Sequence, residues 1–327
     1  MLAIFRSNQI ATAIPLAIYA ALLHLPALLG WVQPEPQLAR DSGILYQILC
    51  APLEQNALGS AICTLVLVFA QALAINFICN STRLMGERNW LPGMAYVLIA
   101  SCTGSFLFLS PPLVAITFIP IAWARVFQAY KTPDALAVVF DAALWVAVAG
   151  LFYPPIIWLA GAAYIGINML RSFKPSEQIL FFFGVFTPGF LAWVIYFWLD
   201  RGSAFWSAHL WNLFQWWDFN LDLSLKTVLE SGVLALFLVI VLFGYGVLQH
   251  KKLIQIQKYI STLYWIIFIG CASVLLRNQP EATHFLITAP AAGILLGMTF
   301  HNMRSRFIGE LLHVAFLGAI FLIYFLN

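Results

Sequence analysis

Residues 57–79 read ALGSAICTLVLVFAQALAINFIC, without one Asp, Glu, Lys or Arg. A bilayer core is crossed by about 20 mostly apolar residues in a helix, which satisfies every backbone polar group within the segment. This stretch meets that length and composition, and the rest of the chain repeats them. Candidate spans fall at 9–32, 57–79, 91–109, 112–130, 134–152, 155–171, 177–199, 227–249, 260–277, 283–300 and 307–326. The expected fold is therefore all-α and polytopic, a single transmembrane domain over 1–327 with about eleven spans. Composition agrees: 62% of residues are hydrophobic, 9% are charged, and mean hydropathy is +0.90. Soluble domains carry about 25% charged residues, so that class is excluded. A net charge of +3 without a clustered basic face is too small to suggest nucleic-acid binding, and no nucleic-acid partner is expected.

Lys and Arg stay on the cytoplasmic side of membrane proteins. With the N-terminus inside, alternating connections place Arg6, Arg83, Arg88, Arg125, Lys131, Arg171, Lys174, Lys251, Lys252, Lys258, Arg304 and Arg306 inside. Arg40, Arg201, Lys226 and Arg277 remain outside, a division of 12 against 4. Shifting the count by one span destroys the bias, so the C-terminus is expected outside. Arg6 is followed by a long apolar stretch without a small-residue cleavage pattern, which reads as a retained first helix. The five cysteines have no metal-ligand spacing.

Two outer turns are expected to be tight, at Ser110-Pro111-Pro112 and Tyr153-Pro154-Pro155, a faint repeat that fits either a duplicated hairpin or coincidence. Only the outer loops 33–56 and 200–226 are long, and loops on a rigid scaffold carry function. The first holds Glu35 and Asp41, followed by apolar Ile44, Leu45, Ile48 and Leu49 at the spacing of a short interfacial helix. Asp41 reads equally as a catalytic carboxylate beside a lipid-linked substrate and as an N-cap; Ser42 reads as a cap. The second loop holds Trp216, Trp217, Asp218 and Asp222. Its aromatics suit an interfacial anchor, and alternatively a sugar-stacking surface with carboxylates orienting hydroxyls.

Ionisable groups inside a bilayer are expensive and mark function by default. Asp141, seven residues into its span, reads as protonated or bonded to a Ser, Asn or carbonyl of a neighbouring helix; as a lone group it is also a candidate coupling residue for transport. His24 reads as a packing residue with one hydrogen bond. In the last outer turn, Arg277 stands against the orientation bias. Its guanidinium matches phosphate oxygens, with His284 as a second donor, and it equally suits snorkelling or a pair with Glu281. No nucleotide, metalloprotease or hydrolase fingerprint appears.

The stretches Gln71-Ala-Leu-Ala-Ile-Asn76, Arg83-Leu84, Leu91-Pro92 and His284-Phe-Leu…Pro290 resemble a family of uncharacterised bacterial polytopic inner-membrane proteins. That resemblance implies a multi-pass protein of the bacterial inner membrane. The chain is also distantly similar to the C-superfamily integral-membrane glycosyltransferases, which use polyprenyl-phosphate sugars. This likeness implies that Asp41, or Glu35 in its place, is the catalytic carboxylate, and that Arg277 and His284 contact the donor phosphate. The adjacent acidic pair of many such enzymes and their soluble outer domain are absent. No cofactor is fixed by the sequence, and a divalent cation is the candidate; membrane lipids and the polyprenyl-phosphate-linked sugar are the implied partners. Two other readings stand beside it: a non-catalytic subunit docking other membrane or envelope proteins, and a transporter using Asp141.

Overall fold

The computed structural model describes residues 1–34, 42–209, 213, 225–249, 252–277 and 281–325. Asn56 opens the helix Ala57–Ser81, its Oδ1 accepting from the amides of Leu58 at 3.1 Å and Gly59 at 3.4 Å. Ser60, Thr64, Val68, Gln71 and Ile75 form the inward stripe, whereas Leu58, Ile62, Val66 and Phe77 face outward and are exposed. The helix's polar side chains Ser60, Thr64, Gln71 and Asn76 thus point into the protein beside small and branched apolar ones, while its exposed face is apolar, unlike that of a water-soluble helix. Inside, Ser60, Gln71 and Asn76 Oδ1 each meet a partner, while Thr64 Oγ1 and Asn76 Nδ2 are buried without one among the described residues. Ser60 Oγ accepts from the Leu109 amide at 2.8 Å, and Gln71 Nε2 donates to the Leu113 carbonyl at 2.8 Å and to Thr117 Oγ1 at 2.7 Å. Asn76 Oδ1 accepts from the Gly93 amide at 2.9 Å. Without water, such bonds are the alternative to unsatisfied groups in an apolar medium.

Every regular element among the described residues is a helix. Seven are long and apolar enough to cross a membrane: Ile10–Leu28, Ala57–Ser81, Pro111–Gln128, Pro175–Trp198, Ile254–Leu276, Ala282–Asn302 and Arg306–Phe325. The other four expected spans coincide with the shorter apolar helices Leu91–Ala100, Leu136–Phe152, Pro154–Leu170 and Val228–Phe243.

The sharpest departure from expectation is at 91–109. Helix Leu91–Ala100 stops after ten residues; the chain turns at Ser101, forms the 3₁₀ turn Gly104–Leu107, and runs extended through Phe108 to Ser110. All ten of these residues are buried except half-buried Ser105. Irregular backbone at membrane depth survives only where protein surrounds it, and here it does. The expected three-residue hairpin is therefore a ten-residue inward segment, with Pro111 and Pro112 opening the next helix, where proline lacks no needed amide.

Helix Leu91–Ala100 packs against Ala289–Asn302 at very close range. A Cβ added to Gly293 would meet the Tyr96 backbone Cα at 2.7 Å and N at 2.9 Å, and one on Gly297 would meet Pro92 Cα at 2.8 Å. Two glycines four apart let the backbones approach as helices do in membranes. At the end carrying the basic turns, Arg171 Nε and Nη2 grip Glu177 at 3.0 and 2.7 Å, while Nη1 donates to the Ala129 carbonyl at 2.8 Å. This buried fork ties three segments together.

Near the opposite end, the irregular pieces meet. Gly104–Leu107, Pro154–Trp158, Val274–Leu276 and Ala282–Thr288 lie among the ends of helices Leu136–Phe152 and Ile254–Ser273.

Candidate functional site

Helix Leu136–Phe152 ends at Tyr153, which the following Pro154 holds in an extended conformation, φ −140° and ψ 98°. The Tyr153 hydroxyl lies 2.8 Å from Nδ1 of His284, and Nε2 of His284 lies 2.8 Å from Ser273 Oγ. Ser273 Oγ in turn donates its single proton to the Gly270 carbonyl at 2.7 Å. The directions follow: His284 donates from Nε2 to Ser273, and its neutral ring accepts the Tyr153 proton at Nδ1. Both nitrogens of this imidazole, which is 1% exposed, are thus engaged by the protein. His284 has no second donor to offer a ligand directly; it orients Tyr153.

Arg277 completes the cluster. Its guanidinium carbon sits 5.6 Å from the centre of the Tyr153 ring, in cation–π range, and the side chain is 4% exposed. Glu281, four residues on, lies within electrostatic range and accepts from Thr283 Oγ1 at 3.1 Å. A buried guanidinium is costly unless hydrogen-bonded and compensated. Five N–H donors in a planar fork are the protein's best match to a phosphate group.

The first long loop returns to this place. The Gly43 amide donates to the Phe152 carbonyl at 2.8 Å, one residue before Tyr153, and a Cβ at position 43 would overlap the Leu151 carbonyl oxygen. Only glycine allows that approach. Gly43 is also the N-cap of helix Ile44–Leu49, without a side-chain cap. Ser42, expected to cap it, accepts instead from Gln47 Nε2 at 3.2 Å. Glu35 and Asp41, together with Trp216, Trp217, Asp218 and Asp222, lie outside the described residues.

Asp141 is placed differently from expectation. Its Oδ2 lies 3.5 Å from Arg125 Nε, and both side chains are about two-fifths exposed, at 38% and 40%. The reason is the hairpin: helices Ile119–Gln128 and Leu136–Phe152 pack side by side and bring the two charges together. Its partner is a cation, not the Ser, Asn or carbonyl expected. His24, fully buried, donates from Nδ1 to the Ala20 carbonyl at 2.9 Å in its own helix, as a packing histidine does.

Three further residues had no role in the sequence reading. Tyr153 looked like part of a turn; only its pairing with a histidine 131 residues away gives it one. Glu54 accepts a hydrogen bond from the buried Tyr46 hydroxyl, and burial raises its carboxyl above the usual carboxylate range while that bond opposes the rise. His209 ends helix Gly202–His209, stacked on Phe205 with ring centres 4.9 Å apart. Burial lowers it to about 4, so it is neutral at pH 7.

His209 also lines an apolar groove of about 650 Å³ between helices Leu136–Phe152 and Pro175–Trp198. Gly150, Leu151 and Pro154 form one wall, Phe186, Phe190 and Trp193 the other. Tyr153 does not line the groove; it turns away from that wall's surface to His284. Among the described residues no three metal-ligating side chains converge. Comparison with protein-family models, with curated proteins and with solved structures finds no match to this chain.

Proposed function

We propose that this protein is a multi-pass enzyme of the bacterial inner membrane, with eleven spans and the N-terminus inside. In this reading it transfers a sugar from a polyprenyl-phosphate donor to an acceptor at the non-cytoplasmic face. The observation that carries the reading is Arg277: a buried guanidinium over Tyr153, close to the point where the Asp41 loop rejoins the bundle; Pro154, the residue after Tyr153, lines the apolar groove on the other side of that chain segment. The groove takes the isoprenoid chain, and the guanidinium takes the phosphate.

The reaction needs little else. An acceptor hydroxyl attacks the anomeric carbon, the carbon–oxygen bond to phosphate breaks, and its electron pair leaves on the phosphate oxygen. Asp41, or Glu35 in its place, receives the acceptor proton as general base. Arg277 stabilises the charge gathering on the leaving phosphate, while His284 and Ser273 hold Tyr153 beneath it. Trp216, Trp217, Asp218 and Asp222, in the loop that follows His209, contact the acceptor or sugar. Asp141 pairs with Arg125, and both side chains are about two-fifths exposed; the transport reading would use Asp141 from that pair.

The groove supplies the test. A Cβ on Gly189 would meet nothing within 4 Å, and Gly189 lines the groove, so Gly189→Trp directs a bulky side chain into the groove, with helix content and detergent elution checked beside the wild type. Purified protein in lipid nanodiscs is expected to retain polyprenyl phosphate over phosphatidylglycerol in native mass spectrometry, and Gly189→Trp to lose it at least tenfold. Equal retention of both lipids, or an unaffected variant, contradicts the proposal.

A further inference from the structure

At the end of the bundle that carries the basic turns lies a second cavity, of about 630 Å³, with a different lining. It opens between the C-terminus of helix Ala57–Ser81, the helix Ile119–Gln128 and the start of helix Ile254–Ser273. Its polar lining includes Thr82, Arg83, Gln128, Gln255 and Tyr259, and no carboxylate lines it among the described residues.

The hydrogen bonds already made show what the cavity has left to offer. Thr82 Oγ1 donates to the Ile78 carbonyl at 2.7 Å, Gln255 Nε2 to Tyr259 Oη at 2.6 Å, and Tyr259 Oη to the Phe127 carbonyl at 3.0 Å. Gln128 Oε1 accepts from Arg125 Nη1 at 2.9 Å, which turns its amide group outward from that bond. The Arg83 guanidinium makes no hydrogen bond or ion pair among the described residues. What remains includes the Arg83 guanidinium and the Gln128 amide as donors, beside the acceptor oxygen of Gln255.

Arg83 holds this place in an unfavourable backbone conformation. It follows the helix end at φ +52°, with the Leu84 amide closing on the Cys79 carbonyl at 3.1 Å. That position ordinarily takes glycine. Further cations stand nearby: Lys131 and Lys258 lie over the Tyr130 ring at 5.4 and 5.9 Å, and Tyr130 meets Tyr259 edge-on at 6.2 Å. Of the neighbouring carboxylates, Asp141 is tied to Arg125 and Glu87 lies toward His301.

We infer that this cavity binds the phosphate of an anionic phospholipid headgroup, with Arg83 as its principal contact. Basic pockets between helices on the cytoplasmic side suit such lipids, whose phosphates lie at that depth. The site is separate from the proposed transferase reaction, and it rests on the same inside-N-terminus orientation.

Native mass spectrometry of the full chain, titrated with phosphatidylglycerol or phosphatidylcholine, tests it. The wild type is expected to prefer phosphatidylglycerol by about tenfold or more, consistent with charge-assisted bonds to one phosphate. Arg83→Gly suits the left-handed turn, keeps the fold, and is expected to lose that preference. Gln128→Glu places a carboxylate in the cavity at constant size and is expected to weaken it severalfold. Displacement of the lipid by millimolar inorganic phosphate would overturn the lipid assignment in favour of a soluble anion. Unchanged lipid preference in both variants overturns the inference.

Discussion

Arg277→Gln is expected to lower sugar transfer by about 10²–10³-fold, the usual consequence of removing one donor that stabilises developing charge in a water-poor site. The side chain is 4% exposed and sits over Tyr153, so no bulk water takes its place. Glutamine keeps much of the volume and one amide donor while deleting the charge and the fork, which separates chemistry from packing. Arg277→Lys retains the charge without the planar pair of donors and is expected to recover only part of the loss. The assay is release of polyprenyl phosphate from a polyprenyl-phosphate sugar in proteoliposomes, with helix content and detergent elution checked for each variant. Transfer at the wild-type rate by a folded Arg277→Gln protein removes Arg277 from the reaction.

Gly293→Leu is expected to be the most damaging single change to the fold. Its Cβ would stand 2.7–2.9 Å from backbone atoms of Tyr96, and backbone cannot step aside as a flexible side chain does. Helices Leu91–Ala100 and Ala289–Asn302 would have to part, stripping contacts from both. Overpacking costs about 1–3 kcal/mol where side chains can adjust, and more where they cannot. Against a total stability of roughly 5–15 kcal/mol, we expect little folded protein. Gly318→Leu is the control, since a Cβ there meets nothing within 4 Å. Thermal unfolding in detergent compares them, and equal midpoints would show that the two helices do not approach as closely as described.

These two residues differ in how far the sequence reveals them. Arg277 is conspicuous because a cation in an outer turn runs against the distribution of the others, and His284 stands seven residues away. Tyr153 and Ser273, which set the orientation of that pair, carry no such mark: one precedes two prolines, the other ends an apolar helix. Their roles exist only through contacts between distant parts of the chain. The apolar helices were legible because a bilayer demands length and greasiness, both visible in a window of residues. The break at Ser101 was not, since Ser, Cys, Thr and Gly are small enough to pass in such a window, and burial by neighbouring helices makes the irregular backbone tolerable. Asp141 looked solitary for the same reason: Arg125 reaches it only once the two helices fold back on each other.

Sidedness is the premise beneath all of this, because a donor phosphate on one face cannot be met by residues on the other. With the five native cysteines replaced, Asp41→Cys, Glu281→Cys and Lys131→Cys proteins can be treated in intact cells with a membrane-impermeant maleimide. Labelling of positions 41 and 281 in intact cells, with position 131 reacting only after permeabilisation, is the expected result. Reaction of 41 or 281 only after the membrane is opened would contradict it.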